Sequence, residues 1–199
     1  MLVPHGVDYE HFSRALSGGL AVPADIADIP HPRLGFFGLI RDWVDLDLLA
    51  KVARRRPDWH IVLLGDSTID LTPYRGLANM HFLGRKPYDQ LPAYCQQLDV
   101  GLIPFKINDL TLAVNPIKLR EYLAAGLPVV STPLPEVKLY EHLVELAESA
   151  TEFEEAIDRS LDQNESDRQH RAAAMSEETW PAKVQEITQR LNRAMSAAL

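Results

Sequence analysis

Two charged residues, Lys118 and Glu121, could together bind a phosphorylated sugar. They are three residues apart and share a face if their segment is helical. Asn115-Pro116 predicts the start of that helix, with Asn115 as N-cap and Pro116 as the first helical residue. Near the positive end of a helix dipole, a lysine and free N–H groups suit a diphosphate, and a carboxylate suits a sugar diol. On spacing alone, a surface ion pair is the better interpretation.

The residues around this predicted helix indicate how the chain positions it. An apolar run over 100–104 predicts a buried strand, residues 106–114 predict a polar loop, and Gly126 predicts the end of the helix. Residues 127–131 then predict the next buried strand. Ligands of α/β proteins bind at the loops that follow the strands, so the start of this helix is expected at a ligand-binding edge.

Strands and helices are predicted to alternate along the chain. Apolar runs predict strands over 34–39, 60–65, 80–84 and 144–147. Helical patterns cover 45–56, 88–98, 151–163, 167–174 and a terminal segment that ends at 199. Continuously apolar strands between helices are typical of a parallel sheet, and 199 residues allow one domain or at most two.

Composition excludes several classes of protein. The formal net charge is −8 with no basic stripe, so a nucleic-acid binder is not expected. Cys95 is the single cysteine, which rules out an internal disulfide and is interpreted as a small core residue. The chain has neither an apolar run of the roughly 18 residues that span a membrane nor a signal segment at its start. We therefore expect a soluble, cytoplasmic protein.

Residues 118–132, KLREYLAAGLPVVST, resemble the signature of the retaining nucleotide-sugar glycosyltransferases that have the two-domain GT-B fold. That signature is a Glu, an Ala-rich helix, then Gly-x-Pro-Val-Val and small residues. With Asn-Pro before it and a Lys three residues before the Glu, the segment resembles the polysaccharide-assembly branch of teichuronic-acid type. The resemblance implies one half of a GT-B fold: a Rossmann-like parallel sheet with helices on both faces and a C-terminal helix that extends away.

The resemblance also implies a donor site, with UDP-sugar as the expected donor and no cofactor. Glu121 corresponds to the Glu that binds the ribose hydroxyls, and Lys118, Lys106 and Asn115 are candidates for the diphosphate region. Gly38 belongs to a loop that in the family approaches the donor phosphate. Further candidates are Arg41 for phosphate, Arg85 as a neighbour of the base, and Pro135 and Glu136 beside the sugar.

This chain departs from the family pattern at two places. Leu39 stands where an Arg usually follows the glycine, so Arg41 is the candidate substitute, although a solvated arginine is an equal interpretation. The family motif places a first Glu eight positions before the second, and Ala113 stands there. Asp109 is the candidate catalytic carboxylate in its place. No Asp-x-Asp motif or His/Cys cluster is present, so metal-independent transfer is expected.

Three segments are predicted from this resemblance. Residues 1–32 are the interdomain crossing and connector, 33–178 the nucleotide-sugar-binding domain, and 179–199 a C-terminal crossing helix. The crossing is inferred from a Pro-His-Gly-Val-Asp segment, which resembles the family's Pro-Asn-Gly-Val-Asp. The expected protein is the donor half of a longer enzyme, inactive alone.

The predicted acceptor is a saccharide or a lipid-linked saccharide, bound by a missing N-terminal domain that could also associate with a membrane. A non-catalytic nucleotide-binding or interaction module, favoured by Ala113, and a sugar-nucleotide epimerase of GT-B architecture are the alternatives.

Overall fold

A sheet of six parallel strands forms the centre of the computed structural model, which describes residues 3–197. The strands are β1 Arg33–Phe37, β2 His60–Leu64, β3 Met80–Gly84, β4 Val100–Ile103, β5 Val129–Ser131 and β6 Glu145–Leu146. Their order across the sheet is β3-β2-β1-β4-β5-β6, and every neighbouring pair is parallel. The predicted α/β fold with a parallel sheet is confirmed.

Helices cover the sheet in two groups. They are α1 Tyr9–Ser13, α2 Ala24–Ala27, α3 Leu46–Arg55, α4 Leu91–Gln97, α5 Asp109–Leu112, α6 Ile117–Ala124, α7 Pro135–Lys138, α8 Ala150–Leu161, α9 Glu165–Ala174 and α10 Trp180–Ala197. The helices α6 and α8 both pack on β4 and β5. The helix α8 also packs on α3, whereas α6 also packs on α1 and α9. The two groups therefore lie on opposite faces, which buries the central strands on both sides.

The order of the strands reverses between β1 and β4, the two central strands. The chain winds outward from β1 through β2 to β3, then returns to β4 and winds the other way. The loops after β1 and β4 therefore diverge and leave a crevice at the carboxyl edge of the sheet, where α/β folds bind ligands. Pairing of β1 with β4 stops at Gly35–Gly101, although β1 continues to Phe37.

Two sequence predictions near this crevice are wrong. The predicted polar loop over 106–114 contains the helix α5, which Asn108 caps in a reciprocal capping box with Thr111. Asn115 is not the N-cap of α6, because that position is occupied by Pro116. The side-chain oxygen of Asn115 instead accepts a hydrogen bond from Arg120 Nη1 at 2.8 Å. Arg120 is 1% exposed, so its guanidinium needs protein acceptors.

The last described helix, α10, has an exposed apolar face. Trp180, Val184 and Leu191 are 44%, 61% and 58% exposed. The residues just before α10 are tied to the N-terminal segment, because Val7 N–H donates to the Glu178 carbonyl at 2.8 Å and Val7 forms a parallel bridge with Thr179. No helix within residues 3–197 is long and apolar enough to cross a membrane. The outer ends of the predicted crossing segment and terminal helix, residues 1–2 and 198–199, lie outside the described residues.

Candidate functional site

Lys118 and Gly38, both predicted site residues, are in contact at the crevice. Lys118 lies in the first turn of α6, and its aliphatic chain passes over the Gly38 backbone. A Cβ added to Gly38 would collide with Lys118 Cε and lie 2.5 Å from its ammonium nitrogen. Gly38 also has φ +136°, a conformation that other residues rarely adopt. The glycine therefore makes room for the lysine.

A second glycine holds the Gly38 loop in place from the β2 side. The Gly38 N–H donates to the Leu64 carbonyl at 2.8 Å, which continues the β1–β2 ladder beyond the end of β1. A Cβ on Gly65 would collide with the Gly38 carbonyl oxygen. The loops after β1 and β2 thus approach each other as closely as their backbones allow.

Glu121 lies one turn along α6 from Lys118 and is 6% exposed. Within residues 3–197 its carboxyl group forms no hydrogen bond or ion pair. Burial raises the pKa of Glu121 to about 7, against the opposing effect of the nearby Lys118 ammonium. Burial likewise lowers the pKa of Lys118, and Glu121 partly offsets this. Because buried carboxylates are normally hydrogen-bonded, Glu121 is a group that a ligand could satisfy.

Two cavities lie next to Lys118. One of about 370 Å³ is lined by Gly38 and Gly65, by the charged residues Asp66, Arg85 and Lys86, and by apolar groups. The other, of about 270 Å³, is lined by Lys118 itself and by Trp43, Thr111 and Asn115. Lys118 also contacts Gly38, which lines the first cavity, so a ligand that spans both cavities would pass close to the Lys118 side chain.

The structure does not bring every predicted residue into this contact. Lys106, Asp109 and Arg41 are exposed, and in the part of the chain described here their side chains form no hydrogen bond or ion pair with Lys118 or Glu121. The Arg41 guanidinium lies 5.4 Å from the centre of the Trp43 ring. Asp109 begins α5, after the loop that leaves β4.

The two predicted sugar neighbours, Pro135 and Glu136, both lie in α7, where Pro135 is exposed. The carboxyl oxygen Oε2 of Glu136 is buried and has no hydrogen-bond partner within the described residues.

Sequence reasoning missed Trp43 and Tyr122. Trp43 lines the cavity beside Lys118, and an aromatic residue in the loop after β1 was the available signal. The Tyr122 hydroxyl accepts from Phe37 N–H at 3.0 Å and donates to the Gly35 carbonyl at 3.3 Å. Its signal was Gly101 inside the central strand β4, because glycine in a strand often marks close approach by another group, here the Tyr122 ring.

Metal ligands do not cluster in the part of the chain that the structure describes. Over residues 3–197, no group of three or more His, Cys, Asp or Glu side chains is arranged to hold a metal ion. Several side chains that can carry charge lie at the crevice: Asp66, Arg85 and Lys86 line the cavity beside Gly38, Lys118 lines the other cavity, and Glu121 follows Lys118 on α6.

Residues 31–163 match the family model described as glycosyl transferases group 1. The chain belongs to the group 1 glycosyltransferase family. A relative from Bacillus subtilis (strain 168), provisionally named teichuronic acid biosynthesis glycosyltransferase TuaH, is 31% identical over 81% of this chain and 42% of its own length. The chain therefore spans less than half the length of this curated relative.

Two solved structures share the fold of this chain. Anabaena HepE in complex with UDP-glucose aligns with a TM-score of 0.70 and 18% identity, over 94% of this chain and 56% of its own. Sucrose-phosphate synthase from Thermosynechococcus elongatus aligns with a TM-score of 0.67 and 18% identity, over 100% and 53%. The predicted resemblance to one half of a GT-B glycosyltransferase is confirmed.

Proposed function

We propose that this chain binds the nucleotide-sugar donor of a retaining glycosyltransferase, with the Lys118 ammonium at the donor diphosphate. One observation carries the proposal: Lys118 covers Gly38 at the strand-order reversal, and the unpaired, buried Glu121 lies one turn further along the same helix. A cation and an unsatisfied carboxylate at this separation match the charges of a diphosphate and the hydroxyls of a ribose.

Lys118 would act together with the start of α6. No side chain caps this helix, so the N–H groups of Ile117 and Lys118 remain free to bind an anion, whereas the Leu119 N–H donates to the Pro116 carbonyl. During glycosyl transfer the nucleoside diphosphate leaves with growing negative charge, which these donors would stabilise without a metal ion. Lys118 and Lys106 would thereby replace the lysine that the family usually carries a few residues after the glycine, because no lysine stands between Gly38 and Lys51 here.

The nucleoside would occupy the cavity of about 370 Å³ lined by Gly38 and Arg85. Glu121 would accept hydrogen bonds from the ribose hydroxyls, and Arg85 would lie beside the base. HepE, whose fold this chain shares, was solved with UDP-glucose, which supports UDP as the nucleotide here.

The donor sugar would extend towards the loop after β4. Asn115 lines the cavity on that side. We propose Asp109, at the start of α5, as the catalytic carboxylate. Lys106 and Arg41 would be additional cations for the donor phosphates. Asp109 follows the carboxyl end of a central strand, where an α/β fold places its ligands, which supports this role. Pro135 and Glu136 would lie beside the sugar.

The acceptor would bind to a further domain of a longer protein, because the chain corresponds to only 42% of TuaH. We propose that the exposed apolar face of α10 packs on that domain and that residues 1–32 cross to it. The further domain would recognise a saccharide or lipid-linked acceptor of a polysaccharide pathway.

We also propose a cytoplasmic location, with association to the membrane through the acceptor domain. The buried free thiol of Cys95 is compatible with a reducing compartment.

Calorimetric titration with UDP and GDP tests donor binding. Lys118→Ala and Glu121→Gln are each expected to weaken UDP binding at least tenfold, since each removes a charged hydrogen-bond partner, which contributes roughly 1.5–3 kcal/mol. Lys51→Ala and Glu141→Gln, at exposed positions, are the matched controls and should bind UDP like the wild type. Equal binding by all four variants, or no binding by the folded wild type, would contradict the proposal.

A non-catalytic nucleotide-binding module is the second candidate, because Ala113 stands at the position of the first family Glu. Asp109→Asn in a longer protein with the acceptor domain separates the two functions. Loss of sugar transfer with unchanged UDP affinity would support a catalytic Asp109. No transfer by the wild type, despite UDP binding, would support the module.

A further inference from the structure

The two central strands separate at a point where their backbones need new partners. The Arg33 carbonyl accepts from Asp99 N–H, so β1 residues at every second position face β4. Pairing ends at Gly35–Gly101, which leaves the Phe37 N–H facing β4 beyond the last paired residue. The Tyr122 hydroxyl accepts from this N–H at 3.0 Å and also donates to the Gly35 carbonyl at 3.3 Å. It replaces the ladder where the crevice opens.

The Tyr122 ring is held closely in this place. It is fully buried, and a Cβ on Gly101 would lie 2.8 Å from its Cγ atom. The edge of the ring packs against Phe37, with 4.7 Å between ring centroids. The ring therefore has little room to move, and its hydroxyl is directed at the last residues of β1.

Tyr122 links the two elements that form the donor site. It is four residues after Lys118 on α6, and its partner Phe37 directly precedes Gly38. We propose that Tyr122 is a positioning residue: its hydroxyl fixes the separation of α6 from the Gly38 loop, and so places the Lys118 ammonium at the donor diphosphate. This inference rests on the proposed donor-binding function.

Tyr122→Phe tests the role of the hydroxyl, because it keeps the ring. The affinities for UDP and UMP are measured together, since only UDP carries the second phosphate. UDP binding is expected to weaken about tenfold, the effect of one or two lost hydrogen bonds, with a much smaller change for UMP. In a Lys118→Ala background the same substitution should have little further effect on UDP binding, because the two residues act through one contact.

Tyr94→Phe is the matched control. The Tyr94 residue is also buried, and its hydroxyl donates to Asp25 Oδ1 at 2.7 Å in a partly buried contact that does not involve Gly38 or α6. This variant should lose thermal stability and keep the UDP to UMP affinity ratio of the wild type. A Tyr122→Phe variant that also loses only stability, with an unchanged ratio, overturns the inference while donor binding stands.

If Tyr122→Phe does not fold, hydrogen exchange of the wild-type Phe37 amide gives the answer. Saturating UDP is expected to slow exchange of this amide several-fold, because the ligand would stabilise the arrangement that the Tyr122 bond maintains. Unchanged exchange in the UDP complex overturns the inference. A wild type that binds no UDP overturns both the inference and the donor function on which it rests.

Discussion

At the scale of single residues, a missing side chain at Gly38 makes the site possible. Lys118 lies on the space that any Cβ there would fill. The sequence indicated each residue separately, Lys118 from its place on a helix and Gly38 from its loop, because both have local signals. It could not indicate their contact, which joins positions eighty residues apart and depends on how α6 packs on the sheet.

Gly38→Ala should therefore reduce UDP affinity to the level of Lys118→Ala. The methyl group displaces the lysine, and the alanine is strained at φ +136° by about 1–3 kcal/mol. Titration and thermal unfolding measure the two effects. Gly18→Ala is the control, because Gly18 also has positive φ but no neighbour within 4 Å of an added Cβ. If Gly38→Ala binds UDP normally, the lysine contact is irrelevant to binding.

The pKa of Glu121 predicts a pH dependence of stability. Burial raises this pKa from 4.5 to about 7, so between these values the folded protein holds a proton that the unfolded chain releases. Unfolding free energy should therefore fall as pH rises from 4.5 to 7, by up to about 3 kcal/mol. The unfolding free energy, measured with urea at pH 5 and pH 8, should fall more in the wild type than in Glu121→Gln. The difference between the two proteins isolates the contribution of Glu121 from pH effects that both share. The same pH slope in both would show that Glu121 is ionised normally.

At the scale of elements, the strands could be predicted more reliably than the loop after β4. Continuous apolar runs mark parallel strands, and the predicted strands over 34–39, 60–65 and 80–84 overlap β1, β2 and β3. The helix α5 was missed because four helical residues carry no periodic signal. Asn115 was assigned as a cap from its neighbour Pro116, whereas the buried Arg120 determines its partner through tertiary packing.

Asn108→Ala tests the importance of α5, because Asn108 forms both halves of its capping box with Thr111. Loss of the cap should lower stability by about 1 kcal/mol and reduce sugar transfer in the longer protein, since Asp109 begins this helix. Asn164→Ala removes a similar capping box from α9 and should lower stability without affecting transfer. Equal transfer by both variants would show that α5 has no role in the reaction.

At the scale of the whole molecule, the resemblance of residues 118–132 indicated the fold and the family correctly, and residues 31–163 match that family. It could not specify the catalytic carboxylate, because the first Glu of the pattern is absent and Asp109 lies on an exposed helix. The exposed apolar face of α10 indicates a surface that a further domain could cover.

Leu191→Glu distinguishes a functional surface from an ordinary solvated helix face. Leu191 is 58% exposed, so the substitution should change the stability of this chain by less than about 0.5 kcal/mol. In a protein that includes the acceptor domain, it should reduce transfer, because a charge would be buried at the interface. Gln185→Glu on the same helix is the control. Normal transfer by Leu191→Glu would exclude the proposed packing.

The most direct test of the donor site is an NMR titration of isotope-labelled protein with UDP. The largest amide shifts are expected at Gly38, at Ile117 and Lys118 in the first turn of α6, and at Glu121. Exposed amides far from the crevice, such as Gly76, should not move. Shifts confined to the cavity beside Val7 and Trp180, or no saturable shifts at all, would contradict the assignment of Lys118 and Glu121 to the donor.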